Sequence, residues 1–126
     1  MENLKIKATK ESLGIDLNVD DGVLSFVGNS YPENTFELYQ PVLDWISEYF
    51  SGNTKENTII NMEIIYYNSS SSRFLYEMFE KFDEVKDIHN IQINWAYDPD
   101  NDSTEEAGED FQDEFENLDI NLIAKE

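Results

Sequence analysis

The run Asn61-Met-Glu-Ile-Ile-Tyr-Tyr-Asn-Ser-Ser-Ser-Ser-Arg-Phe-Leu-Tyr-Glu-Met-Phe-Glu-Lys-Phe82 constrains the fold more than any other stretch of the chain. Its first half is rich in Ile and Tyr and holds no Gly or Pro, the pattern of a buried central strand. Its second half sets Phe74, Leu75, Met78, Phe79 and Phe82 on one stripe at helical spacing. Between them stand Asn68 and four consecutive serines, Ser69 to Ser72. A buried strand that runs straight into an amphipathic helix belongs to a layered α/β protein. Hydroxyls at a helix start ordinarily act as caps, because their oxygens accept from free backbone N–H groups. One cap is enough, and four serines exceed that need. The helix N-terminus is also where a phosphate is best tolerated, since the N–H groups and the helix dipole favour negative charge. Two readings therefore stand side by side: a cap with polar filler, and a phosphorylation switch.

The rest of the chain extends the same alternation. Leu4 to Ala8 reads as a short first strand. Ile15, Leu17 and Val19 alternate with Asp16 and Asn18; Asp20-Asp-Gly22 is a turn signal, and Val23 to Val27 returns as the second arm of a hairpin. Gly28 to Asn34 reads as a loop. Phe36, Tyr39, Val42, Leu43, Ile46 and Phe50 recur at helical period, with Pro41 either kinking that helix or marking its first turn. Ser51 to Thr54 should stop it. The next strand, Thr58 to Tyr67, carries Ile60, Met62, Ile64 and Tyr66 on one face and Ile59, Asn61, Glu63, Ile65 and Tyr67 on the other. Ile91, Ile93, Trp95 and Tyr97 alternate with Gln92, Asn94 and Ala96, which predicts one buried and one wetter face. Ser103-Thr-Glu-Glu106 resembles a capping box for a last helix with Ala107, Phe111 and Phe115 inward, and Ile120 to Ala124 reads as a final edge strand. The expectation is a single domain over residues 1–126, a two-layer α/β fold with a mixed β-sheet and helices packed mainly on one face. Trp45, Phe74, Phe79, Trp95 and Phe111 should lie in its core.

Composition narrows the function. The 126 residues include 28 acids against 8 Lys and Arg, a formal net charge of −20. That balance argues against nucleic acid or an anionic membrane as partner, since both call for cationic patches. With no cysteine in the chain, disulfides, thiolate catalysis and cysteine-ligated metals are excluded. No apolar run has the length of a signal peptide core or a membrane span, so a cytoplasmic protein is the expectation. His89, between helix and strand, reads as a loop histidine with no nucleophile motif beside it, and no phosphate-binding glycine loop or nucleophile elbow occurs. No enzyme and no cofactor are expected. Asp98, Asp100, Asp102, Thr104, Glu106 and Glu109 match the ligand positions of a twelve-residue calcium loop, but Ser103 occupies the position that requires glycine. A mobile, metal-free acidic loop over residues 98–109 is the expectation, and a small-ligand or calcium-binding domain using that loop is the alternative function.

Five elements occur in a telling order: Gly28-Asn-Ser-Tyr-Pro-Glu-Asn34, Tyr39-Gln-Pro-Val-Leu-Asp-Trp45, Tyr67-Asn-Ser-Ser-Ser-Ser-Arg73, Trp95-Ala-Tyr97 and Ala107-Gly-Glu-Asp-Phe111. Together they resemble the SiaC-type regulatory phosphoproteins of bacteria, over nearly the whole chain. The resemblance implies a STAS-like architecture, similar to anti-sigma-factor antagonists. It implies partner switching: a serine/threonine protein kinase phosphorylates a hydroxyl at a helix start and a PP2C-type phosphatase removes the phosphate. It further implies that the unphosphorylated form binds a regulated protein such as a diguanylate cyclase, in cyclic-di-GMP and biofilm signalling. By motif, the phosphorylated position falls on Ser69, with serine where the family has threonine and with Ser70, Ser71 and Ser72 as alternates. Arg73 stands where lysine is usual. Tyr31, Glu33, Asn34, Asn68, Ser69, Ser70 and Arg73 are the partner-facing residues the resemblance implies.

Overall fold

The computed structural model describes residues 1–52 and 57–125. Its element order is β1 (Leu4–Ile6), β2 (Gly14–Asn18), β3 (Val23–Ser30), α1 (Thr35–Ser51), β4 (Asn57–Tyr67), α2 (Ser69–Val85), β5 (Asn90–Tyr97), α3 (Asp102–Glu114) and β6 (Asp119–Ala124). The strands form one sheet in the order β1-β2-β3-β4-β5-β6. β1, β2 and β3 pair antiparallel, whereas β3, β4, β5 and β6 pair parallel. The hairpin between β2 and β3 turns at Gly22, whose φ of 68° is the left-handed conformation that glycine adopts without strain. Each parallel step is a crossover through one helix. Such crossovers are right-handed, and the strand order advances in one direction, so all three helices fall on the same side. This is the mixed, one-side-covered sheet that the alternation predicts.

The covered face holds the core. Ile15, Leu17, Leu24, Phe26, Ile60, Met62, Ile93, Trp95 and Ile120 point into it from the strands. Tyr39, Trp45, Phe74, Phe79 and Phe111 close it from the helices, and all five are buried. Phe79 stacks on Phe111 at 4.3 Å between ring centres and Tyr39 on Phe74 at 4.4 Å, so aromatic pairs join α2 to both of its neighbours. α3 approaches the sheet closely because Gly108 has no side chain: a Cβ there would meet Leu122 at 2.5 Å and Trp95 at 2.7 Å.

Several local expectations are corrected. The loop expected over Gly28 to Asn34 is shorter, because Gly28, Asn29 and Ser30 still pair with β4. Pro41 does not open α1; it lies within it, on the exposed side, where its missing N–H leaves no buried carbonyl without a donor. The stop expected over 51–54 falls partly outside the described residues; Gly52 closes α1 at its C-cap. Tyr66 is not inward like Ile64. A register shift makes Gly28 pair with Ile64 but Asn29 with Tyr66, so Ile65 is an extra residue on β4. The alternation breaks at that bulge, and Tyr66 is 56% exposed. Ser103 does not cap α3: Asn101 does, its Oδ1 accepting from the Thr104 N–H at 3.2 Å. The last helix expected from Ser103-Thr-Glu-Glu106 is present and starts at Asp102, so the acidic loop ends before Asp102 and the calcium-loop spacing over 98–109 runs into the first turns of α3. A helix scatters Asp102, Thr104, Glu106 and Glu109 around its circumference and cannot wrap an ion as a calcium loop does. Among the described residues no group of three or more His, Asp or Glu is arranged to hold a metal ion.

Candidate functional site

The carboxyl ends of the parallel strands and the N-termini of the helices share one edge of the sheet, the place where α/β proteins gather their binding residues. β3 ends there at Ser30 and β4 at Tyr67, and α1 and α2 start beside them. The two crossings are stitched together. The Asn68 N–H donates to the Ser30 carbonyl at 3.0 Å, and Tyr31 packs edge-on against Tyr66 with ring centres 5.9 Å apart. Arg73, one turn into α2, lies 5.4 Å from the centre of the Phe36 ring on α1.

The serine run divides sharply on its helix. The cap is Asn68, not a serine: its Oδ1 accepts from the Ser71 N–H at 2.9 Å. Ser71 is fully buried. Its hydroxyl lies 2.7 Å from that of Ser30, which lies 2.9 Å from the hydroxyl of Tyr39, which in turn accepts from the Leu13 N–H at 3.1 Å. This chain of hydroxyls crosses the core from α2 to β3 to α1 and gives each of its own three buried hydroxyls a partner. Ser69 and Ser70 are exposed, and Ser72 is half-buried in a groove against Tyr67, Tyr76 and Asp110. Burial raises the pKa of Tyr67, with the Asp110 carboxylate adding to it. Of the four candidate hydroxyls, Ser71 is thus occupied inside the protein and Ser69 and Ser70 face solvent.

The remaining candidates fall on the same edge. Tyr31 is half-buried, Glu33 and Asn34 are exposed at the start of α1, and Asn34 precedes that helix without a side-chain cap bond. Arg73 is largely exposed and sits 3.7 Å from Glu77, one turn further along α2. His89 is not here. It lies at the opposite end of the sheet, its Nε2 3.1 Å from the Phe50 carbonyl.

Sequence reasoning passed over one signal. No acid occurs between Glu63 and Glu77, the longest acid-free stretch in a chain with 28 acids, and α2 accordingly has no acid in its first turn. A helix N-terminus ordinarily favours an acid, and α1 and α3 each carry at least one in the first turn where α2 carries none.

The family model for the SiaC family regulatory phosphoprotein matches residues 6–125. This chain belongs to the SiaC family. An uncharacterized protein of Pseudomonas aeruginosa strain UCBPP-PA14 is 29% identical over 115 residues, covering 90% of each chain. The fold is that of solved SiaC structures: SiaC of Pseudomonas aeruginosa superposes with a TM-score of 0.90 at 25% identity, over 99% of this chain and 100% of the other. A structure of the diguanylate cyclase SiaD in complex with its activator SiaC, from the same organism, matches with a TM-score of 0.84 at 25% identity, over 97% and 99% of the two chains. No helix among the described residues is long and apolar enough to cross a membrane.

Proposed function

We propose that this SiaC-family chain is a phosphorylation-controlled binding protein whose unmodified form docks on and activates a diguanylate cyclase, as SiaC does with SiaD. Ser69 is the switch. The observation that carries this reading is an exposed hydroxyl at the first position of α2, beside an asparagine cap and in an acid-free turn. A serine/threonine kinase adds the phosphate there and a PP2C-type phosphatase removes it.

The mechanism is local electrostatics. A phosphate brings about 1.5 to 2 negative charges and three strong acceptor oxygens. At the start of α2 the helix dipole favours that charge. Arg73 follows Ser69 by one turn, so a phosphate there competes with Glu77 for its guanidinium and draws it from the Phe36 ring. The partner surface combines Tyr31, Glu33, Asn34, Asn68, Ser69, Ser70 and Arg73. A cyclase face that packs against the small Ser69 hydroxyl then meets a bulky anion it would have to desolvate. The chain's own part is binding; the cyclase supplies the chemistry that makes cyclic-di-GMP.

Phosphopeptide mapping after co-expression with the cognate kinase tests the assignment. Phosphate should appear on Ser69, be absent from Ser69→Ala, and weaken cyclase binding, with Ser69→Asp weakening it in part. Phosphate found only on Ser72, or a Ser69→Asp chain that binds the cyclase like wild type, overturns the assignment.

A further inference from the structure

The bulge near the end of β4 changes which side chains stand at the switch edge. Ile64 is buried, and strict alternation would send Ile65 out and Tyr66 back in. The extra residue turns both outward, and Ile65 and Tyr66 are each 56% exposed. α3 holds this bulge in place: the Ile65 carbonyl accepts from the Asn101 amide at 3.1 Å and from the Thr104 hydroxyl at 3.2 Å. Bulges are devices that re-aim a side chain, often beside a functional site.

The re-aimed ring is Tyr66. Its edge contact with Tyr31 sets two phenol rings together, one from the end of β4 and one just past the end of β3. The seven tyrosines of the chain divide by their hydroxyls. Those of Tyr39, Tyr49, Tyr76 and Tyr97 bond within the protein. Those of Tyr31, Tyr66 and Tyr67 bond to no group among the described residues. A tyrosine offers a large, stiff apolar ring and a polar tip at little cost in side-chain entropy, which is why it anchors interfaces. Tyr66 precedes Ser69 by three residues, so their Cα atoms lie no more than about 11 Å apart. That is well within the ~800 Å² that one partner contributes to a standard interface.

We propose that Tyr66, backed by Tyr31, is the aromatic anchor of the surface that docks the diguanylate cyclase. The inference rests on the proposed function and adds to its surface a residue that the family motifs leave out. The matching segment of the cyclase carries an apolar side chain, which seats on the Tyr66 ring and takes Ile65 out of water with it. It also carries an uncharged acceptor, such as a backbone carbonyl, for a phenol hydroxyl, since a carboxylate would be repelled by a chain of net charge −20. The anchor sets the affinity of the unmodified form, and the phosphate on Ser69 acts on a segment already held beside it.

Isothermal titration calorimetry of the unmodified full chain against the purified cyclase tests this. Tyr66→Ala should weaken binding at least about tenfold while keeping the circular dichroism of the wild type. Tyr66→Phe, which keeps the ring, should weaken it less. Ile88→Ala removes a 76% exposed side chain in the turn between α2 and β5, at the opposite end of the sheet, and should bind like the wild type. In the wild type itself, tetranitromethane should nitrate Tyr66 in the free chain and not in the complex. A Tyr66→Ala chain that binds like the wild type, or equal nitration of Tyr66 with and without the cyclase, overturns the inference alone. A wild type that binds no cyclase overturns the proposed function and this inference with it.

Discussion

α2 and α3 begin in the same way and are filled differently. Both follow a parallel strand, and both are capped by asparagine, Asn68 and Asn101, whose side chains accept from the N–H of the third helical residue. Both bury a hydroxyl at that third position: Ser71 against Ser30, and Thr104 against the Ile65 carbonyl at 3.2 Å. The first position differs. In α3 it is Asp102, with Glu105 also in the first turn; in α2 it is Ser69, with no acid in that turn. α3 thus carries permanently the kind of charge that phosphorylation would bring to α2. The pair shows that this cap geometry accommodates an anion at its first position while the buried third position is fixed by packing. α3 is further pinned, since Trp95 donates to the Thr104 carbonyl at 3.0 Å and Gly108 rests on the same ring. α2 is left with a free upper surface.

The comparison breaks first at the buried hydroxyls. Ser71→Asp puts a carboxylate where Ser30 and the core leave no water, and should cost ~3 kcal/mol or more of folding free energy. Urea denaturation of Ser71→Asp beside Ser69→Asp reads the contrast; equal stabilities would show that the third position is not the anchor.

A smaller effect tests the caps. Asn68→Ala should cost about 1 kcal/mol, the usual loss for a missing N-cap. Asn101→Ala should cost more, because the Asn101 amide also donates to the Ile65 carbonyl at 3.1 Å and steadies the β4 bulge. Thermal unfolding of the two variants side by side ranks them, and the reverse order would mean that the bulge does not depend on α3.

The charge at the first position should produce opposite signs. Ser69→Asp should stabilise the protein, and Asp102→Asn should destabilise it, each by about 0.3–1 kcal/mol at low ionic strength, from the helix dipole alone. High salt should shrink both differences. If Ser69→Asp destabilises at low salt, the two helix starts are not equivalent sites for an anion.

The last prediction concerns the contact that closes the groove between the two helices. Tyr76 on α2 donates to Glu114 on α3, and that hydrogen bond, with a lesser contribution from burial, pushes the phenol pKa from 10.0 up to about 12. The raised folded value means that the neutral phenol is the favoured form. Its stabilising contribution is therefore complete below pH 10 and is lost as pH rises through about 12. The stability difference between wild type and Tyr76→Phe should be constant at neutral pH and fall away across that window. A difference that persists at the alkaline end would show that the hydroxyl contributes nothing through Glu114.

Much of this molecule is written in local patterns. Alternation in Ile91 to Tyr97 set one face of β5 in the core, and helical spacing from Phe74 to Phe82 set the buried stripe of α2, because burial follows the periodicity of side-chain direction. The serine run marks the start of α2, and the motif order alone places the chain beside the SiaC family. Other features needed neighbours distant in sequence. Which residue caps α2 was decided at Asn68, where the strand ends and the backbone turns back on Ser30. Which serine is buried depended on Ser30 and Tyr39, both more than 30 positions away from Ser71 in the chain. Tyr66 lies outside the core because β4 carries one extra residue, Ile65, opposite the Gly28–Asn29 step of β3, which neither strand records alone. The acidic run from Asp102 carries two local patterns, calcium-loop spacing and a capping box with Ala107, Phe111 and Phe115 inward; packing of Phe111 on Phe79 decides for the helix. The sequence by itself determined which elements form and which of their faces turn inward, since those depend on period and propensity. The tertiary structure decided which hydroxyls face water, because exposure is a property of what lies across the gap.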